Sequence, residues 1–222
     1  MRETIGLFGG TFDPIHLGHL QAAAEVRRRA GLGRVLFIPS YLPPHKASGT
    51  VASAADRFRM VELACRRRVG FEASPLEVEA REKSYSILTL RKVRALAPRA
   101  RLFFILGVDA FLDIGTWREY EKVLRECFFI VTGRPGFDLE RAREVLGGRL
   151  RDDIGPLASP GSLSGTAPPP TRVVLLPIRA LDVSSTKIRA KVRRGEPVEG
   201  LVPRAVAAYI REHRLYRGRQ EP

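Results

Sequence analysis

Two rhythms of apolar residues alternate along the chain. Short apolar runs predict strands near 4–8, 34–38, near 71–78, at 101–106, 127–132 and 172–176. Between them, residues with helical spacing and strong helix formers predict helices at 16–30, 54–68, 86–96, 117–126, 138–146 and 203–213. Strand after helix in this order predicts an α/β fold, a doubly wound, mostly parallel sheet with helices on both faces. In such a sheet ligands bind beyond the carboxyl ends of the strands, at the switch in strand order. The segment 147–170, ending GSLSGTAPPP, is rich in Gly, Ser and Pro and is expected to be a flexible surface loop. A C-terminal helical part spans 184–216, and residues 1–222 read as one domain.

The first strand-to-helix turn, GGTFDPIHLGHL at 9–20, is unlike an ordinary connection. Gly9 and Gly10 permit close backbone approach, and Asp13 before Pro14 is expected to be an N-cap with proline at the first helical position. The helix N-terminus then faces the turn and favours an anion there. His16 and His19, three apart, lie on one helix face toward the same anion. The spacing is neither that of a Walker loop nor that of G-x-G-x-x-G. No cysteine or carboxylate cluster beside the two histidines completes a zinc shell.

A second candidate is SSTKIR at 184–189, after the run RVVLLPI. Ser184, Ser185 and Thr186 suit a helix start, where hydroxyls cap free N–H groups. Lys187 and Arg189 do not suit it, because cations oppose the dipole at that end unless an anion joins them. In PPHK, two prolines stiffen a loop and Lys46 can present its ammonium to a phosphate. Asp109, after FFIL, stands where a carboxylate can accept from ribose hydroxyls or cap the next helix. Trp117, the single tryptophan, is a core residue or a stacking platform for a flat heterocycle.

Composition narrows the class. Lys and Arg total 38 against 24 Asp and Glu, a net charge of +14 that invites nucleic acid. The arginines cluster at helix ends, as in 27–29 and 66–68, and no basic stripe is interleaved with aromatics, so no specific nucleic-acid partner is expected. No stretch reaches the roughly twenty apolar residues of a membrane span, and no signal-peptide pattern opens the chain. Cys65 and Cys127 form no CxxC and read as reduced structural thiols, so a cytoplasmic location without membrane contact is expected.

In order, GGTFDPIHLGHL, IPSYLPPHK, DRFRM, SYSILTL, LGVD, Trp117, RPG, SSTKIR and YIREHRLY resemble the nucleotidyltransferase superfamily that carries (T/H)xGH. Within it they resemble the bacterial nicotinate-nucleotide adenylyltransferases, from Ile5 to about Tyr216. The resemblance implies a Rossmann-like nucleotidyltransferase fold and transfer of an adenylyl group from ATP to nicotinate mononucleotide. It implies that Gly9, Gly10, Thr11, Phe12, His16 and His19 hold ATP on one side. Asp109, Arg134, Ser184, Ser185, Thr186 and Arg189 complete that site, with Arg189 on the outer phosphates. The acceptor falls to Lys46, Tyr85, Ser86 and Trp117, and catalysis to His16, His19, Lys46 and Arg189. Magnesium is expected on the ATP phosphates, since it dehydrates reluctantly. The usual family form has threonine at Ser86 and often an acid at Leu88; the hydroxyl is kept, the acid is not. Alternatives are another acceptor, such as nicotinamide mononucleotide or phosphopantetheine, or an RNA-binding module without turnover. A homo-oligomer is left open.

Overall fold

The computed structural model describes residues 3–43, 51–133, 138–145, 153–157, 161, 163, 169, 171–178 and 181–217. Among these, the strands are β1 (Thr4–Gly10), β2 (Arg34–Pro39), β3 (Phe71–Ala73), β4 (Arg101–Gly107), β5 (Phe128–Thr132), β6 (Ile154–Pro156) and β7 (Val173–Leu176). They form one sheet in the order β3-β2-β1-β4-β5-β7-β6, with every neighbouring pair parallel. The helices are α1 (Leu17–Ala30), α2 (Ala54–Cys65), α3 (Leu76–Ala80), α4 (Ser86–Leu96), α5 (Val108–Leu112), α6 (Tyr120–Glu126), α7 (Ala142–Val145), α8 (Ser185–Arg193) and α9 (Arg204–Glu212).

Successive strand residues point to opposite faces, so a central strand buried on both sides is apolar throughout. In β4, Leu102, Phe104 and Leu106 pack with Leu90 and Val93 of α4, Phe111 of α5 and Val123 of α6. Phe103 and Ile105 belong to the opposite layer, with Val26 of α1, Met60 of α2, Ile188 of α8 and Ile210 of α9. Both layers are doubly wound onto one sheet, as the alternation of runs predicts. A fully buried side chain of this kind contributes about 1.5–3 kcal/mol of transfer free energy.

Several boundaries differ from the pattern in the sequence. The strand expected near 71–78 stops at Ala73, because Pro75 supplies no ladder donor and instead opens α3. The helix expected over 54–68 ends at Cys65, and Arg67 turns left-handed at φ 62°. Glu119, at φ 54°, delays the start of α6 to Tyr120. The short helix α5 and the three-residue β6, inside the expected loop, had no periodic signal; most of 147–170 lies outside the described residues. Cys65 and Cys127 are buried and unpaired; burial pushes the Cys65 thiol up to about 12 and that of Cys127 higher still.

Strand order reverses between β1 and β4. From β1 the chain winds outward through β2 and β3, then returns to β4 and continues the other way. Gly9 and Gly10 end β1 and Gly107 ends β4, so their carboxyl ends open the crevice where such folds take ligands.

Candidate active site

The turn after β1 closes on a histidine, not an aspartate. His16 is the N-cap of α1, with extended backbone at φ −142° and ψ 171°. Its Nδ1 accepts from His19 N at 3.4 Å, and His19 Nδ1 accepts from His16 N at 3.3 Å. This is a capping box built from two imidazoles. The rings stack with centroids 3.6 Å apart, and the His19 ring meets the Phe12 edge at 5.1 Å. Asp13 is therefore not the helix cap expected of it. Its carboxylate is 3% exposed and accepts from Val51 N, Ala52 N and the Tyr216 hydroxyl. The Asp13-Pro14 bond is cis.

Gly18, between the histidines, leaves room for the His16 ring. A Cβ there would lie 3.1 Å from His16 Nδ1 and 3.2 Å from Cε1. Gly18→Ala is expected to displace the ring and to lower the turnover that the resemblance implies about tenfold, equivalent to about 1.4 kcal/mol of barrier. Stability should stay close to wild type, because alanine gains about 1 kcal/mol of helix propensity over glycine. Steady-state kinetics beside a urea melt checks this; unchanged turnover would show that the His16 ring position is not limiting.

A cavity of about 290 Å³ opens at this helix start. Phe8, Gly9, His16, Gly18 and His19 form one wall, and Gly107, Asp109 and Ala110 another. Thr132 and Gly133, at the end of β5, and Asp182, Val183 and Ser184 close it. Ser184 is the N-cap of α8 and accepts from Lys187 N at 3.2 Å. The starts of α1 and α8 thus face one space, each with a partial positive charge and no acidic residue in its first turn. Lys187 has its counter-charge already, since both Asp182 oxygens lie 2.8 Å from its Nζ. The pair is solvent-exposed, at 61% and 80% of the two side chains, so it offsets only part of the repulsion between this cation and the helix start. Arg189 Nη1 donates to Asp13 O at 2.7 Å and Nη2 to Thr186 Oγ1 at 3.3 Å, while Ser185 Oγ donates to Pro14 O. The bonds to Asp13 O and Pro14 O tie α8 to the turn, and the bond to Thr186 fixes the guanidinium within α8.

A second cavity, of about 520 Å³, shares Gly9, Leu106 and Ala110 with the first. It adds Gly10, Thr11, Ser40, Ser84, Tyr85, Ser86, Phe104 and Trp117. Trp117 is partly buried and meets Phe104 edge-on at 5.7 Å, which gives the space a flat aromatic wall. The Arg118 guanidinium lies 4.9 Å from the Tyr85 ring centroid. Ser86 opens α4, and no side chain caps that helix at Tyr85. Glu77 also lines the cavity; burial raises its carboxyl above the ordinary range, against hydrogen bonds from Ser84 and Thr89 that lower it. Among the described residues no group of three or more His, Cys, Asp and Glu side chains could hold a metal ion.

A family model described as cytidylyltransferase-like matches residues 7–191. A protein of Solibacter usitatus named "Probable nicotinate-nucleotide adenylyltransferase" is 46% identical over 213 residues, 96% of this chain and 98% of its own. One of the same name from Desulfatibacillum aliphaticivorans is 41% identical over 216 residues, 96% of this chain and 99% of its own. The chain belongs to the nicotinate-nucleotide adenylyltransferase family. Solved structures agree in fold: the Plasmodium falciparum nicotinic acid mononucleotide adenylyltransferase complexed with NaAD superposes with TM-score 0.71 at 18% identity. That alignment covers 97% of this chain and 98% of the other.

Within this family fold, the expected site residues are distributed over two cavities and the packing behind them. Gly9, His16, His19, Asp109 and Ser184 meet at the first cavity; Gly10, Thr11, Tyr85, Ser86 and Trp117 meet at the second. Phe12, 2% exposed, lines neither and packs against Phe8, Phe37 and His19. Ser185, Thr186 and Arg189 stand one step back, at the seam between α8 and the turn. Lys46 and Arg134 lie outside the described residues. Ser40, which the block IPSYLPPHK contains without a role of its own, is 7% exposed, and its Oγ has no hydrogen-bond partner among the described residues at the mouth of β2. Arg57, which the block DRFRM contains likewise, is 0% exposed and donates to Thr11 O, Ser40 O, Tyr41 O and Ala52 O.

Proposed function

We propose that the chain joins ATP and nicotinate mononucleotide to give nicotinate adenine dinucleotide and pyrophosphate. The observation that carries this reading is the pair of cavities joined at Gly9, one framed by two helix N-termini and the other walled by Trp117 and Phe104. ATP belongs in the first, with its triphosphate over the starts of α1 and α8. The pyridine ring belongs against Trp117, where its carboxylate meets the uncapped start of α4. That helix end favours the acid over the neutral amide. The unpartnered Ser40 hydroxyl supports a polar contact to the acceptor.

A phosphate oxygen of the acceptor attacks the α-phosphorus of ATP. One P–O bond forms as the bond to the bridging oxygen breaks, and the electron pair leaves with pyrophosphate. The nucleophile is already an anion at neutral pH, so no general base is required. The chain's work is to align the groups in line and to stabilise charge on the α-phosphate. His19 donates to it first, His16 second; Arg189 and Lys46 take the flanking phosphates. Magnesium would enter this site on the ATP phosphates and would supply charge neutralisation there. The carboxylates lining the cavity are Asp109 and Asp182, and Asp182 is paired with Lys187, so Asp109 is the residue that would hold the ion, with phosphate oxygens and water as its other ligands.

Incubation with magnesium, ATP and either nicotinate or nicotinamide mononucleotide, followed by pyrophosphate release, tests the reading. Release with the acid, at least tenfold faster than with the amide, is expected. No release with either would overturn the function, and equal rates would overturn the role given to the start of α4.

A further inference from the structure

The C-terminal end of the chain reaches the turn that carries His16. Tyr216, 6% exposed, lies four residues past α9 in left-handed backbone at φ 64°, a conformation a bulky residue holds only when its surroundings fix it. Its hydroxyl donates to Asp13 Oδ1 at 2.8 Å. Burial and the adjacent carboxylate both push the phenol far above its ordinary pKa, so the hydroxyl keeps its proton and remains a donor. Asp13 receives two further bonds, from Val51 N at 2.8 Å and Ala52 N at 3.2 Å. Its main-chain carbonyl takes the bond from Arg189 Nη1 at 2.7 Å, and the next carbonyl, Pro14 O, takes Ser185 Oγ at 2.9 Å.

We propose that Tyr216 is a positioning residue for phosphate transfer, holding Arg189 and the start of α1 in working geometry through Asp13. The inference rests on the roles given above to Arg189 and His16. Three donors hold the Asp13 side chain and with it the position of its Cα in the turn, which keeps the Asp13 carbonyl within reach of Arg189. Without the phenol, Asp13 is a buried anion short of one donor, beside the guanidinium groups of Arg57 and Arg189. It relaxes toward them, and Arg189 exchanges its carbonyl for the carboxylate. The turn and α8 then lose the register that aims both helix starts at one space.

Tyr216→Phe removes only the hydroxyl. Tyr209→Phe is the matched control, because the Tyr209 hydroxyl donates to Asp56 Oδ1 at 2.9 Å, a phenol-to-carboxylate bond made from the same end of the chain to α2 and away from the turn. Turnover and KM for each substrate are measured at a temperature where each variant is folded, beside its urea midpoint. Tyr216→Phe is expected to lose about tenfold in kcat with the acceptor KM within about twofold. Tyr209→Phe should lose less stability, because Tyr209 is only half-buried, and keep its kcat. Asp13→Asn, which retains an acceptor for the phenol but removes the charge, is expected to lose kcat to the same order. A Tyr216→Phe enzyme with wild-type kcat, or equal kcat losses in both tyrosine variants, overturns the inference. An inactive wild type overturns the proposed reaction, and this inference with it.

Discussion

His19→Ala is expected to lower turnover by about a hundredfold or more, the usual cost of removing one preorganised donor from a developing oxyanion. The imidazole is held in three ways before any substrate arrives. It stacks on His16 with centroids 3.6 Å apart, abuts the Phe12 ring at 5.1 Å, and its Nδ1 accepts from His16 N. That last bond assigns the neutral ring's proton to Nε2, which makes Nε2 the donor to a phosphate oxygen. A donor fixed in advance pays no reorganisation as charge develops, which is why its loss appears in kcat more than in KM.

The same bond gives His19 a share in stability. Losing half of the capping box should cost about 1 kcal/mol of unfolding free energy. His19→Gln separates the two roles, since glutamine at this position can restore the box without an imidazole. It is expected to recover most of the urea midpoint of His19→Ala and little of its turnover. Turnover near wild type in either variant would remove His19 from the chemistry.

Much of the site is legible because its parts are local. A strand, two glycines, a turn and a helix start lie within 4–20, and hydroxyls at a helix start lie within 184–189, so the spacing of a few residues reports where helix N-termini face one cavity. The alternation of apolar runs likewise gives the parallel sheet, because strands buried on both faces cannot be half polar. The role of Asp13 was misread, since Asp-Pro before a helix suggests a cap while its partners are 38, 39 and 203 positions away. Local pattern carries no trace of a bond closed over such a distance. Arg57 did leave a trace. It falls at helical spacing with Met60, Val61 and Ala64 on the buried face of α2, a place where a charge must have partners.

Those partners make Arg57→Leu the substitution expected to destabilise the chain most. The guanidinium is 0% exposed and donates to four carbonyls: Thr11 O at 2.8 Å, Ser40 O at 2.6 Å, Tyr41 O at 3.1 Å and Ala52 O at 3.2 Å. Burial lowers its pKa, and the Asp13 carboxylate opposes that shift by favouring the charged form. Leucine fills part of the space but leaves four carbonyls without a donor and Asp13 with one cation fewer. Removing one partner of a buried charged network costs about 3–5 kcal/mol, out of a typical total of about 5–15. Arg57→Lys should recover only part of the loss, because one ammonium cannot reproduce the planar fork that reaches both the turn after β1 and the end of β2. The urea midpoint at constant slope measures both changes. A loss below about 1 kcal/mol for Arg57→Leu would mean that water satisfies the carbonyls and that the turn holds its shape without this side chain.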